Sequence, residues 1–188
     1  MPPCSCSFLT EICTTKLNVM HGETLAEEIQ QSAELFMATL LKFSNEQLNM
    51  VPFAGSWTAG QVADHIRKAT DGLPDMNTRL ADRDPELYVE TLRSLFLDFT
   101  AKYESPDFIL PDAGPFQRDA LLSELARVKN ANAEIALTRD LTHLCLDFEM
   151  PGLGYLTRYE WLNFMAAHIQ RHAYQLKNIA EKILAVNV

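Results

Sequence analysis

The sequence has little glycine and little proline: seven and nine residues out of 188, most of them gathered in a few places. Long regular segments are therefore expected between those places. No stretch approaches the roughly 18 consecutive apolar residues that span a bilayer. The first residues also lack the basic start and the unbroken apolar stretch of a signal peptide. We therefore expect a cytoplasmic protein.

Basic residues are also in short supply. Sixteen Lys and Arg stand against 25 Asp and Glu, which gives a formal net charge of −9. A protein that binds nucleic acid needs a basic surface to neutralise phosphates, and an anionic membrane surface likewise attracts basic segments. We therefore expect neither nucleic acid nor a membrane as a partner. With 47% hydrophobic residues, the composition is that of a soluble globular domain.

Only four cysteines occur, and three of them, Cys4, Cys6 and Cys13, lie near the N-terminus. Their C-x-C-x6-C spacing matches no common zinc motif. We interpret residues 1–22 as a flexible extension and residues 23–188 as one helical metal-binding domain. The fourth cysteine, Cys145, is expected to pack as a small hydrophobic residue.

Hydrophobic residues recur at three- and four-residue steps in several segments, which predicts amphipathic helices. The segments are residues 23–43, 58–73, 85–104, 119–138 and 157–184. No segment alternates as a strand does. The pattern predicts an all-α fold, a four-helix bundle with a long crossover connection that carries an extra helix.

Two helix starts carry matching signals. Thr58 with Gln61 and Thr157 with Glu160 each form the S/T-x-x-E/Q pattern of a capping box. A hydrophobic residue before each cap can pack on one inside the helix, as in a hydrophobic staple. We expect helices to begin at these two threonines.

Three histidines lie on the apolar stripes of these two helices. His168 and His172 are four residues apart, so they occupy one face of the last helix, and His65 lies on the apolar face of the second. A buried histidine can be a core residue held by hydrogen bonds. Three imidazoles in one apolar interior are harder to satisfy in that way, and a metal ion would bind all three. We therefore predict a metal site formed by His65, His168 and His172.

Other polar residues near these positions are weaker candidates. Asp64, Arg171 and Glu160 could orient an imidazole or bind a substrate carboxylate. Gln61 lies one turn before His65, but its capping role explains it better. His143 and Cys145 suggest a nucleophile pair, for which no orienting partner is evident.

The segments "SWTAGQVADHI", "SPDFILPDAGPF" and "LGYLTRYEWLNFMAAHIQRHAYQL" resemble the DinB/YfiT-like superfamily of metal-binding four-helix bundles. The resemblance covers residues 24–184. It implies that one histidine of the second helix and an H-x-x-x-H pair of the last converge on a divalent metal, here His65, His168 and His172. Proteins similar to these include thiol S-transferases and isomerases that use low-molecular-weight thiols, and a metal-dependent hydrolase.

We therefore expect a divalent-metal-dependent enzyme of the hydrolase or low-molecular-weight-thiol S-transferase type. Three histidine ligands leave a position open for a small-molecule substrate such as a low-molecular-weight thiol. Nitrogen ligands suit Zn, Ni, Cu or Fe, and the sequence does not choose among them. The alternative is a non-catalytic metal-binding stress or interaction protein. Exposed apolar residues of the 85–104 segment could support a homodimer under either interpretation.

Overall fold

The computed structural model describes the backbone of residues 7–185 and the side chains of residues 21–185. This part of the chain is mostly helical, as the all-α prediction requires. Its α-helices are α1 (Ser7–Leu40), α2 (Asn45–Leu48), α3 (Ala59–Ala69), α4 (Val89–Leu97), α5 (Arg118–Thr138) and α6 (Arg158–Leu184). Within it, no helix combines the length and the apolar character that crossing a membrane requires.

α6 is a common packing partner of α1, α3 and α4. Both α1 and α3 contact α5 and α6, and α4 packs against α6. The buried side chains form two clusters, and α6 contributes to both: its residues up to Ala166 belong to one cluster, and those from Ile169 onward belong to the other. His168 lies at the junction between them.

The helix starts at Thr58 and Thr157 are confirmed. Each threonine hydroxyl accepts a hydrogen bond from the backbone N–H three residues on, at 3.1 Å in both cases. The side chains of Gln61 and Glu160 accept in return from the threonine N–H groups, at 3.0 and 2.8 Å. These capping boxes satisfy N–H groups that a helix start leaves unpaired. Because a turn holds 3.6 residues, they also place His65 about two turns, and His168 about three, into their helices.

The extra helix of the crossover is shorter than predicted. The 85–104 pattern spans only Val89–Leu97 in α4. Before the helix, the Asp84 carboxylate accepts from the N–H of Glu86 and forms a local turn; after it, Asp98 accepts from both the N–H and the hydroxyl of Thr100. Such hydrogen bonds between side chains and the backbone compete with the backbone hydrogen bonds of a helix. They explain why α4 begins and ends inside the predicted segment. The homodimer expected from this segment stays a prediction.

The all-α prediction did not include one short pair of strands. Two three-residue strands, β1 (Thr78–Leu80) and β2 (His143–Cys145), pair antiparallel, with Arg79 opposite Leu144. Three residues are too few for an alternating pattern to be recognised in the sequence. The pair joins the start of the crossover to the chain that leads into α6.

The first helix begins at Ser7, well before the start at residue 23 that the periodicity predicts. At Gly22, α1 approaches α5 so closely that a Cβ atom would overlap the carbonyl oxygen of Ala136. The Nδ1 of His21 lies 2.9 Å from a carboxylate oxygen of Glu86. Contacts with the domain therefore begin before residue 23. The side chains of Cys4, Cys6 and Cys13 lie outside the described residues, and the flexible extension stays a prediction.

We predict that Gly22→Ala destabilises the protein. In a helix interior alanine is normally favoured over glycine by about 1 kcal/mol. The overlap with the backbone of α5 reverses that sign, and overpacking of this kind typically costs about 1–3 kcal/mol. The measurement is the free energy of unfolding in urea.

Glu23→Ala is the matched control, because Glu23 is the exposed next residue of the same helix. It should change the free energy of unfolding by no more than about 0.5 kcal/mol. An increase in stability for Gly22→Ala would show that α1 does not approach α5 in this way.

Candidate metal centre

His65 of α3 and the His168–His172 pair of α6 meet inside the protein. The Nε2 atoms of His65 and His168 are 3.0 Å apart, and one ring nitrogen from each of the three histidines lies within 4.8 Å of the others. The ring centroids are separated by 4.6 to 5.2 Å. The three residues are 1%, 7% and 8% exposed, respectively. The structure thus brings together the histidines named from the sequence.

The donor set can hold a metal ion. At a typical metal–nitrogen distance of about 2.0–2.1 Å, neighbouring nitrogen ligands lie about 2.9–3.4 Å apart, depending on the coordination angle. The 3.0 Å between His65 and His168 falls within this range. Without an ion, three ring nitrogens crowd one buried point, and among the described residues a single short contact, between His65 and His168, could be a hydrogen bond within the cluster.

In two of the rings Nδ1, which we call the outer nitrogen, is hydrogen-bonded to an acceptor, as is usual for histidines that bind metal through the other nitrogen. The Nδ1 of His65 lies 2.9 Å from the carbonyl oxygen of Ile109, and the Nδ1 of His172 lies 2.7 Å from Oε1 of Gln175. Both partners accept hydrogen bonds, so each Nδ1 carries the proton and each Nε2 keeps its lone pair. The Nδ1 of His168 is buried and has no hydrogen-bond partner among the described residues.

Burial keeps all three rings neutral at physiological pH. Loss of solvation lowers the pKa of His65, lowers that of His168 well below its usual range, and lowers that of His172 to about 3. The neighbouring imidazoles lower the pKa of His168 and His172 further, because two cations would repel one another. Neutral imidazole is the form that binds metal ions.

Aromatic side chains form much of the wall around the cluster. Phe96 of α4 packs edge-on against His168 with centroids 5.4 Å apart, and Phe164 stacks on the same ring at 5.2 Å. Trp57 lies 5.1 Å from His65. The sequence indicates Phe164, one turn before His168 on the same stripe. Phe96 and Ile109 come from the crossover, and no local pattern links them to the histidines.

Residues 98–112, which we call the covering segment, are hydrogen-bonded to α3 and α6 beside the cluster. The guanidinium of Arg171 donates to the carbonyl oxygens of Phe96, Asp98 and Ala101, the second at 2.6 Å. At the other end, Lys68 donates to the carbonyl oxygen of Leu110 at 2.9 Å. Together with the His65–Ile109 contact, these bonds hold the segment against the cluster.

The polar residues proposed to orient the imidazoles have other partners. The Asp64 carboxylate accepts from Arg67 and from the N–H of Asp112. Glu160 is fully buried and accepts from Arg83 through two bonds of 2.8 and 2.7 Å. Neither carboxylate, nor Arg171 or the capping Gln61, is hydrogen-bonded to an imidazole in the described structure. The orienting groups are instead Ile109 and Gln175, which sequence reasoning missed.

The remaining histidines lie outside the cluster. His21 stacks on Tyr159, and the Nδ1 of His143 lies 3.4 Å from a carboxylate oxygen of Asp140. Cys145 is buried, and loss of solvation raises the pKa of its thiol to about 12. A thiol that stays protonated at neutral pH is a poor nucleophile. This agrees with the packing role expected for Cys145 and not with a His143–Cys145 pair.

A mostly helical chain whose interior gathers three neutral histidines from two helices is a candidate metal-binding helical protein. The family model of the DinB superfamily matches residues 28–176, and the chain belongs to this superfamily. The resemblance seen in the sequence is thereby confirmed.

Among curated proteins, the chain is similar to the uncharacterized protein YuaE of Bacillus subtilis (strain 168). The two are 29% identical over 146 residues, which covers 74% of this chain and 87% of the relative. No solved structure gives a significant match.

We predict that the metal-stripped protein loses stability as the pH falls from about 6.5 to about 3. In the unfolded chain a histidine takes up its proton near pH 6.5, whereas folded His172 stays neutral down to about pH 3. The unfolded state therefore binds more protons in this window, and acid favours unfolding. His172 alone contributes a slope of up to about 1.4 kcal/mol per pH unit.

The slope is measured by urea unfolding at several pH values in this window. His172→Asn removes the titrating ring but keeps a side-chain donor, and it should flatten the dependence. His143→Asn, a change outside the cluster, should leave the dependence close to that of the wild type. The same dependence of the free energy of unfolding on pH in the wild type and in His172→Asn would show that His172 is not kept neutral by burial.

Proposed function

We propose that α1, α3, α5 and α6 form a four-helix bundle of the DinB type, in which His65, His168 and His172 bind a divalent transition metal ion. Zn, Ni, Cu and Fe all suit such ligands. The observation that carries this proposal is the cluster itself: three buried, neutral imidazoles with nitrogens within 4.8 Å of one another. Membership of the DinB superfamily supports it.

We further propose that the protein is a metal-dependent enzyme of the hydrolase or low-molecular-weight-thiol S-transferase type, acting on a small molecule. An ion held by His65, His168 and His172 would supply a Lewis acid that lowers the pKa of a bound water or thiol. The protein supplies the neutral ligands and orients two of them through Ile109 and Gln175. Phe96, Phe164 and Trp57 limit the access of bulk water to the cluster.

A second candidate is a non-catalytic protein that the metal stabilises. The observation in its favour is burial: none of the three histidines is more than 8% exposed, and the covering segment is held down by several hydrogen bonds. A site closed in this way resembles structural metal sites, which bind no substrate.

The proposed metal site predicts about one divalent ion per chain in protein purified without a histidine tag. His65→Ala and His168→Ala should each remove most of the bound metal, because each deletes one of three ligands. His143→Ala, outside the cluster, should retain it. The measurement is elemental analysis with calorimetric titration of the stripped protein. Metal content near zero in the wild type, or content unchanged by both substitutions, would refute the site.

The two candidates differ in turnover. The metal-loaded and metal-stripped proteins are compared in conjugation assays with small thiols and in hydrolysis assays with small esters and amides. Turnover that requires both metal and His168 supports the enzyme. A rise in melting temperature on metal binding, without turnover of any of these substrates, supports the non-catalytic protein.

A further inference from the structure

Gln175 is the one side chain in the described structure that is hydrogen-bonded to the outer nitrogen of a cluster histidine. It lies three residues after His172 on α6, so the two side chains are neighbours on the helix surface. Its Oε1 atom is 2.7 Å from Nδ1 of His172, at the short end of the range for N–H···O hydrogen bonds. Gln175 is only half-buried and belongs to neither of the two core clusters.

The three rings are held in three different ways. The Nδ1 of His65 is bonded to a backbone carbonyl, which no substitution at position 109 removes directly. The Nδ1 of His168 has no partner among the described residues. Among the three histidines, His172 is thus the one whose hydrogen-bond partner is a side chain and can be removed by substitution.

The chemistry of the amide selects one form of the ring. A neutral imidazole carries one proton, on either Nδ1 or Nε2. The carbonyl oxygen of Gln175 can only accept, so the proton must be on Nδ1. The Nε2 lone pair of His172 is then free to bind an ion beside His65 and His168. The other tautomer would place an N–H group where the ion is expected to bind.

We propose that Gln175 is a positioning residue that holds His172 in its Nδ1-protonated tautomer and so prepares its Nε2 atom to bind metal. This inference rests on the proposed metal site. Outer hydrogen-bond partners of this kind typically contribute 10- to 100-fold to metal affinity, because they fix both the tautomer and the orientation of the ligand ring.

The first test is the dissociation constant for Zn²⁺, measured by competition with a chromophoric chelator. Gln175→Ala should weaken binding about 10- to 100-fold. Gln175→Glu retains an acceptor at the same reach and should bind within about threefold of the wild type or more tightly. Lys177→Ala changes an exposed residue of the same helix and should leave the affinity unchanged.

The second test needs no metal. In the stripped protein, ¹⁵N spectra of the imidazole rings report which nitrogen of His172 carries the proton. The wild type and Gln175→Glu should show a protonated Nδ1, and Gln175→Ala should lose this preference.

The two tests separate the inference from the proposed function. Absence of metal binding in the wild type would refute the metal site, while the spectra would still decide whether Gln175 sets the tautomer. Wild-type affinity in Gln175→Ala, or an unchanged tautomer in its spectra, would overturn the role of Gln175 and leave the metal site standing.

Discussion

The approach of α3 to α6 is the contact on which the candidate site depends. It brings Nε2 of His65 to 3.0 Å from Nε2 of His168, within an interior that is otherwise mostly apolar. Two capping boxes set where these helices begin, and therefore how far along each helix its histidines lie. The neutral state of the rings follows from the same contact, because helix packing removes them from water.

Local interactions could be predicted from the sequence, and contacts between distant segments could not. The capping boxes of Thr58 and Thr157 and the spacing of His168 and His172 depend on residues three or four apart, so the sequence displays them directly. The partner of His65, Ile109, is 44 residues away, and the contact of Arg171 with Asp98 spans 73 residues. Nothing in the local pattern of either residue indicates these partners.

The two carboxylates proposed to orient the imidazoles, those of Glu160 and Asp64, serve the fold instead. Glu160 joins the start of α6 to the crossover by accepting from Arg83 and from the N–H of Tyr88. Asp64 ties α3 to the covering segment through the N–H of Asp112. A buried carboxylate must have such partners, because an unpaired charge in the interior is costly. Their ion pairs therefore explain why these groups do not orient the imidazoles.

The covering segment is attached largely through its backbone. Arg171, Lys68 and His65 all bond carbonyl oxygens of residues 98–110, and a carbonyl oxygen is present whatever side chain a residue carries. The side chains of this segment that contact neither helix can therefore vary without loosening its attachment. Two others take part in it: the Asp112 carboxylate accepts from Lys68, and the Phe99 ring stacks on Tyr174 of α6. Substitutions at those freely variable positions could change the shape and polarity of the protein surface beside His65, while the residues that anchor the segment stay the same.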